Sequence, residues 1–390
     1  MNGILTTVIL LPVGIGAYAY VLYPLLLRFA VSTRAQPERP ARDHAWPLIT
    51  ITVPCYNEER SIRQTLDALL AADYPADRKQ VVVISDASSD GTDDIVREFA
   101  DRGVELLRLD TRRGKSAAEN AAGGVARGEI IVNTDATIRI LPDALKLLVG
   151  AFADSRIGVA SGRDLSVTSV NDAASVVTSS GEAGYVGYEM YIRALESRFR
   201  SIVGASGCFY AIRTALYDSH FPEKLSRDFA SALMAAEHGY RAVSVNDAVC
   251  LVPHAKSLDS EFRRKIRTMA RGLQTLWFKR QLLNPVSHGA FAWMLFSHKL
   301  CRWLVSLALP IATVALVIGS IHSTAWRVVL AAAVAGTLIG VIGMRWPAGR
   351  TEPRLIRIAG FILASNVAGI VAWAEVLRNR DLAKWEPTRR

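Results

Sequence analysis

Residues 3–27, GILTTVILLPVGIGAYAYVLYPLLL, carry no charged side chain, and such a stretch exceeds the ~20 apolar residues a helix needs to cross a bilayer. Three more apolar stretches lie near the other end, at 300–320, 325–344 and 358–377. What is left to fold in water is the middle of the chain. With 390 residues and 51% hydrophobic content, the sequence can bury one large α/β domain besides the apolar segments. The first stretch has neither the basic n-region nor the small-residue cleavage site of a signal peptide, so it reads as a retained span. A buried core helix would account for any one of the later stretches. Three in succession without strand signals favour spans.

Charge placement orients these segments. Arg28, Arg34, Arg39 and Arg42 follow the first span, and only uncharged residues precede it. Basic residues collect on the cytoplasmic side of spans, so the middle region is expected in the cytoplasm of an integral protein of the plasma (inner) membrane. The loop at 345–357, with Arg345, Arg350, Arg354 and Arg357, then falls on the same side. The basic tail at 378–390 conflicts with three spans after a cytoplasmic domain. A re-entrant segment and an overridden charge rule both resolve that conflict.

The net charge of +10 raises the question of nucleic acid. The basic residues, however, cluster beside the apolar segments and between 256 and 280, and no aromatic-studded basic stripe accompanies them. A lipid bilayer and a diphosphate substrate suit that placement better than nucleic acid. The four cysteines, Cys55, Cys208, Cys250 and Cys301, show no metal-ligand spacing, so neither a zinc site nor a disulfide framework is expected from them.

Inside the middle region, short β-branched runs at 48–53, 81–85, 104–109 and 129–133 read as buried parallel strands. Segments of helical spacing, SIRQTLDALLAA, TDDIVREFADRG and KSAAENAAGGVARG, separate them. Thr92 offers an N-cap to the second and Gly103 a C-terminal stop. The pattern is a β-α-β-α-β-α-β half of a doubly wound sheet, which binds ligands beyond the carboxyl ends of its strands.

The unusual residues stand at those ends. VPCYNEE puts Pro54, Asn57 and Glu58 on the rim, where an ordinary strand-to-helix turn is the plainer account. SDASSDGTDD ends the second strand with Asp86, which can accept from a ribose hydroxyl or a base N–H, although a capping turn fits the same residues. TRRGKSAAEN contains Gly114-Lys115-Ser116, but Leu109 stands where a Walker A loop needs glycine, and no G-x-G-x-x-G follows any strand. NTDAT ends the fourth strand with Asp135, a carboxylate able to hold Mg²⁺ or Mn²⁺ against a diphosphate.

VPCYNEE, SDASSDGTDD, NTDAT and SRDF at 226–229, in that order, resemble the motifs of inverting family 2 glycosyltransferases with a GT-A fold. The membrane branch that includes hyaluronan, chitin, poly-N-acetylglucosamine and cellulose synthases is the most similar. The resemblance runs from about 48 to 280 and implies a GT-A domain at 48–255. A span at 1–28 and a basic linker at 29–47 precede it; a basic interfacial segment at 256–299, about three spans at 300–377 and the basic tail follow. It implies donor contacts at Pro54, Asn57, Glu58, Asp86, Lys115 and Asn120, with Asp135 as the first acid of the D-x-D motif. Asp228 matches the acid that acts as general base. Ser206 and Gly207, in GASGCFYAIR, and Arg227 correspond to the acceptor side.

EFRRKIRTMARGLQTLWFKRQLL at 261–283 reads as a basic amphipathic helix on a membrane surface. In the resemblance it takes the place of the Q-x-x-R-W motif, with Arg264 for Gln, Arg267 retained and Thr268 for Trp; both arginines suit a diphosphate. Thr137 replaces the second D-x-D acid, which leaves Asp135 as the metal carboxylate and His254 as a further candidate ligand.

The function implied is transfer of a sugar from a nucleoside-diphosphate donor, a UDP-sugar foremost, to a cell-surface polysaccharide or glycolipid. Single transfer to a polyprenyl-phosphate or other lipid acceptor is the alternative. A silent subunit of a synthase complex is a third reading, against which the retained Asp135 and Asp228 argue. With so few spans, a wide polymer channel is expected to need close packing against the cytoplasmic domain or a second copy, and a homo-oligomer or synthase-complex subunits are the protein partners to expect.

Overall fold

The computed structural model describes residues 2–32, 45–170, 181–253, 258–346 and 353–378. Strands β1 (Ile49–Cys55), β2 (Lys79–Ser85), β3 (Val104–Arg108), β4 (Ile130–Thr134), β5 (Arg139–Ile140), β6 (Ile157–Val167), β7 (Phe209–Arg213) and β8 (Arg241–Pro253) form one sheet in the order β3-β2-β1-β4-β7-β6-β8-β5. The helices are α1 (Asn2–Ala17), α2 (Tyr23–Ser32), α3 (Ile62–Ala71), α4 (Thr92–Arg97), α5 (Lys115–Gly123), α6 (Ala144–Gly150) and α7 (Gly181–Phe199). After them come α8 (Arg227–Glu237), α9 (Leu258–Phe278), α10 (Pro285–Leu295), α11 (Cys301–His322), α12 (Thr324–Met344) and α13 (Arg354–Leu377).

The parallel β-α-β half expected from the sequence is the β3-β2-β1-β4 side of the sheet. Every residue of β1 is buried, because alternate side chains face opposite apolar layers. Ile51, Val53, Val81 and Val83 pack with Ile62 and Leu66 of α3 on one face, while Val82 and Ile84 pack with Ala118 and Ala122 of α5 on the other. Beyond β4 the sheet turns mixed: β7 runs antiparallel to both β4 and β6, and β8 runs parallel to β6. This Rossmann-like core plus long apolar helices is the fold class the sequence pattern implied.

One capping assignment is corrected. Thr92 is the first residue of α4 rather than its cap, and the Asp90 carboxylate accepts from the Thr92 N–H at 3.0 Å. Asp supplies the acceptor at this turn because its side chain reaches the free N–H two residues on. Gly103 does end its segment, with φ 85°, a left-handed conformation that costs glycine little.

Among the described residues, four helical stretches are long and apolar enough to cross a membrane: Gly3–Ser32, Pro285–His322, Thr324–Met344 and Arg354–Leu377. The second begins at Pro285, ahead of the stretch at 300–320, because α10, a π-turn at Phe296–Leu300 and α11 run together. The polar Ser297 and His298 within it are buried against protein, which hides them from the hydropathy pattern of an outer surface. A second π-turn, Tyr18–Leu22, interrupts the first stretch. Small residues allow the helices close approach: a Cβ on Gly343 would come within 3.0 Å of the Gly360 Cα, and one on Gly369 within 2.2 Å of Ser306 Oγ. Outward positions such as Val13, Leu25, Ile321, Val328 and Leu338 are exposed and apolar, as a lipid-facing surface requires.

Candidate active site

The site is built from the carboxyl ends of the parallel strands. At the end of β1, Asn57 adopts φ 54°, and its side-chain carbonyl accepts from the Ser89 N–H at 2.8 Å. Ser88 Oγ accepts from the Asn57 N–H and Thr92 Oγ1 from the Glu58 N–H, so the rims of β1 and β2 are stitched together. Ala87, also at positive φ (57°), sits in the same turn. Two non-glycine residues held in the left-handed region mark a locally strained rim, as functional loops commonly carry. Pro54 itself is buried inside β1 opposite Ile84. Glu58 turns its carboxylate back to Ser61 Oγ at 2.8 Å.

Asp86 is fully buried at the end of β2. Its two oxygens accept from the backbone N–H groups of Arg113 and Gly114 at 2.8 and 2.7 Å. Gly114 can present its N–H there because it adopts φ 104°, open to glycine and strained for other residues. Both oxygens of Asp86, the residue expected beside the nucleoside, thus engage the backbone of the turn ahead of α5. Its carboxylate fixes the turn from which α5 starts, and Lys115 is the first residue of α5.

From that turn Lys115 reaches across to β4. Its ammonium donates to Asp135 Oδ1 and, at 2.7 Å, to the Gly207 carbonyl. Partial burial alone would lower the pKa of Lys115, but Asp135, Glu119 and Asp228 hold it above the ordinary lysine value. Glu119, one helical turn along α5, is buried, and that burial raises its pKa despite the neighbouring Lys115 and Arg227 cations. Sequence reading missed Glu119, although its i, i+4 spacing from Lys115 is a recognisable signal.

Asp228 lies in the first turn of α8, where the positive end of the helix suits an acid. Ser226 Oγ donates to Asp228 Oδ1 and leaves Oδ2 toward Gly207. A Cβ on Gly207 would stand 3.2 Å from Oδ2, so the absence of a side chain keeps the approach to that oxygen open. Lys115, Asp135, Gly207 and Asp228 therefore share one neighbourhood, from four separate elements.

The remaining predicted residues divide between scaffold and flank. Ser206 is buried, donating to Asp164 Oδ1 at 2.6 Å and accepting from the Phe209 N–H at 3.2 Å. Arg227 is also buried, stacked 4.4 Å from the Tyr217 ring and bonded to Asn120 Oδ1 and the Asp218 carbonyl. Asn120 spends its amide N–H on the Phe221 carbonyl at 2.7 Å. These three side chains, with Ser206 and Arg227 expected on the acceptor side, bond to protein groups beside the separate segments that carry Gly207 and Asp228. Three of these contacts, Ser206–Asp164, Asn120–Phe221 and Arg227–Asn120, span 42 to 107 residues, a separation that no local pattern records.

Arg264, Arg267 and Arg271 follow one face of α9 at i, i+3, i+7 spacing. Arg271 donates to Ser116 Oγ at 2.7 Å and to the carbonyls of Glu223 and Leu225, which ties this face to the segment leading into Asp228. Arg271 was not singled out by motif, since its role depends on where α9 docks. Tyr56, too, was missed; Arg112 stacks 3.9 Å above its ring at the rim. His254 lies outside the described residues. A cavity of about 570 Å³ opens beside the rim, lined by Asn57, Glu58, Ser61, Asp90, Thr137 and Arg139 among others. Neither Lys115, Asp135 nor Asp228 lines it.

The donor set suits a hard divalent cation held jointly with a diphosphate. Asp135 is about a third exposed, and Lys115 occupies its Oδ1 and leaves Oδ2 for a ligand. Thr137 offers no second carboxylate, so phosphate oxygens and water would complete the shell, the usual arrangement for Mg²⁺.

Comparison with known proteins agrees with this geometry. Residues 50–221 match the family described as Glycosyl transferase family 2. An N-acetylglucosaminyltransferase of Mesorhizobium japonicum is 25% identical over 64% of this chain and 61% of its own length. A poly-beta-1,6-N-acetyl-D-glucosamine synthase of Staphylococcus epidermidis is 24% identical over 58% of this chain and 55% of its own. The chain thus spans little more than half of these curated relatives. A mannosyltransferase from Pyrobaculum calidifontis, solved in complex with GDP-Man and Mn²⁺, superposes with a TM-score of 0.74 and 25% identity. That likeness covers 96% of this chain and 99% of the other.

Proposed function

From the match of residues 50–221 to the family described as Glycosyl transferase family 2, we propose that this chain is a glycosyltransferase that transfers a sugar, with inversion, from a nucleoside diphosphate to an acceptor at the membrane. The carrying observation is the convergence of Lys115, Asp135, Gly207 and Asp228 at the strand ends. The acceptor hydroxyl enters over Gly207, and Asp228 Oδ2 takes its proton as the hydroxyl oxygen bonds to the anomeric carbon. The bond to the diphosphate breaks in the same displacement, so no covalent enzyme intermediate forms. Lys115, with Arg264 and Arg267 from α9, faces the negative charge that develops on the leaving group. Asp135 would hold a divalent cation, which when bound neutralises the diphosphate. Asp86 acts by fixing the turn before Lys115, and Asn57 and Glu58 shape the rim where the nucleoside lies.

The apolar helices long enough to cross a bilayer support chemistry at a membrane, and the basic flanks support a cytoplasmic domain. The acceptor is accordingly a membrane-held glycan or glycolipid. The names of the curated relatives support N-acetylglucosamine as the transferred sugar. A second reading, GDP-mannose as donor with one sugar added, is favoured by the whole-length likeness to the mannosyltransferase.

Purified protein in detergent should release nucleoside diphosphate from UDP-N-acetylglucosamine or GDP-mannose in the presence of membrane extract and Mn²⁺. The product should carry the inverted anomer, and a ladder of sizes or a single addition separates the polymer reading from the lipid one. Retention of configuration, or full turnover by Asp228→Asn, would overturn the proposed displacement.

A further inference from the structure

Cys208, Cys250 and Asp164 lie 42 and 44 residues or more apart along the chain, yet one Oδ, Sγ and Sγ meet within 4.8 Å of one another. The sheet brings them together. Asp164 of β6 and Cys250 of β8 are register partners, so their side chains share a face. Cys208 enters β7, the strand on the other side of β6. Cys250 Sγ donates to Asp164 Oδ1 at 3.5 Å, and Ser206 Oγ stands 2.6 Å from that same oxygen and 3.6 Å from Cys208 Sγ. Four donors therefore surround one point, all fixed by strands or by the turn that leads into one.

We propose that Asp164, Cys208 and Cys250, with Ser206 adjoining, form a binding site for one thiophilic divalent cation of the Zn²⁺ class, distinct from the cation held at Asp135. Two sulfurs and one carboxylate oxygen are a zinc-type donor set, whereas Mg²⁺ and Mn²⁺ prefer oxygen alone. Ligands of a tetrahedral zinc with bonds of about 2.0–2.3 Å stand roughly 3.3–3.8 Å apart, so the observed spacing closes with shifts of about 1 Å or less. The Ser206 hydroxyl or a water fills the fourth position.

The bound ion would clamp the Ser206–Gly207–Cys208 turn. Gly207 of that turn accepts from Lys115 and faces Asp228, so occupancy bears on the acceptor side of the active site.

Cadmium titration of the full-length protein in detergent tests this through thiolate-to-metal charge-transfer absorption, read without any activity assay. The expected result is one equivalent of Cd²⁺ per chain with an absorption band that Zn²⁺ displaces and Mn²⁺ does not. Asp135→Asn, Cys55→Ser and Cys301→Ser should keep the band. Cys208→Ser or Cys250→Ser should abolish it, and Asp164→Asn should weaken binding about 10- to 100-fold. Absence of a band in the wild-type protein, or a band that survives the Cys208→Ser/Cys250→Ser pair, would overturn the site. Neither outcome depends on the transfer reaction, so this proposal and the proposed function stand or fall separately.

Discussion

Two clusters of charge in this molecule use similar residues to opposite ends. At the strand ends, Lys115 and Asp135 keep a quarter and a third of their side-chain surface in solvent, and Asp228 keeps one oxygen facing an open glycine. Where α7 meets the spans, His298 lies between Glu196 and Glu189 at 2.6 and 2.8 Å and is all but sealed from solvent. Tyr23 also donates to Glu196, and Lys299 and Arg302 donate to Glu189. The exposed cluster leaves lone pairs and space for a substrate. The sealed one spends its charges on joining the domain to both π-turned stretches, through partners drawn from three helical segments. Charge alone does not mark a catalytic site; the difference is whether a ligand can reach it.

That contrast predicts which property each substitution moves. The largest effect is expected for Asp228→Asn, a fall in turnover of about 10²–10⁴-fold, the range of a lost general base. Its unfolding midpoint should stay near wild type, which chemical denaturation checks. A loss of fold instead of turnover would erase the contrast. Glu189→Gln should do the reverse. Breaking one partner from a buried ion pair costs about 3–5 kcal/mol, visible as a lower thermal midpoint, while turnover per folded molecule holds.

Gly207→Ala should be milder, with an added methyl crowding Asp228 Oδ2 at a cost of about 1–3 kcal/mol in the transfer step. Acceptor KM and kcat measured separately would show whether approach or chemistry suffers; an unchanged enzyme would remove Gly207 from the site. The smallest effect concerns pH. Burial would raise the carboxyl of Glu189, but His298, Lys299 and Arg302 hold it well below its ordinary value of 4.5. A depressed acid stabilises the fold fully above its unfolded value and loses that contribution as pH falls through the folded one. The stability gap between wild type and Glu189→Gln should therefore be flat above about pH 4.5 and narrow below it. A gap that widens on acidification would show that the cluster works with the opposite sign.

Much of the fold was legible because its signals are local. Runs such as LITITV and VVVIS, short and rich in β-branched residues, read as buried strands, and an uncharged stretch such as 3–27 suits an apolar environment. The mixed half of the sheet was not legible, since β6, β7 and β8 pair across long separations that no periodicity records. The same limit applied within the site. The order of the motifs named Asp135 and Asp228, whereas the burial of Asp86, Ser206 and Arg227 and their hydrogen-bond partners came only from the closed fold.

By itself, then, the order of residues determined the apolar segments, the parallel half of the sheet and the acids at its edge, because hydropathy period and turn chemistry act over a few residues. Tertiary structure alone decided which acids remain open to a substrate and which are sealed, that Arg271 reaches Ser116, and that two cysteines without a spacing motif share one point with Asp164. Those outcomes depend on strand register and helix docking, in which groups distant in sequence satisfy one another's hydrogen bonds only after the chain has closed around them.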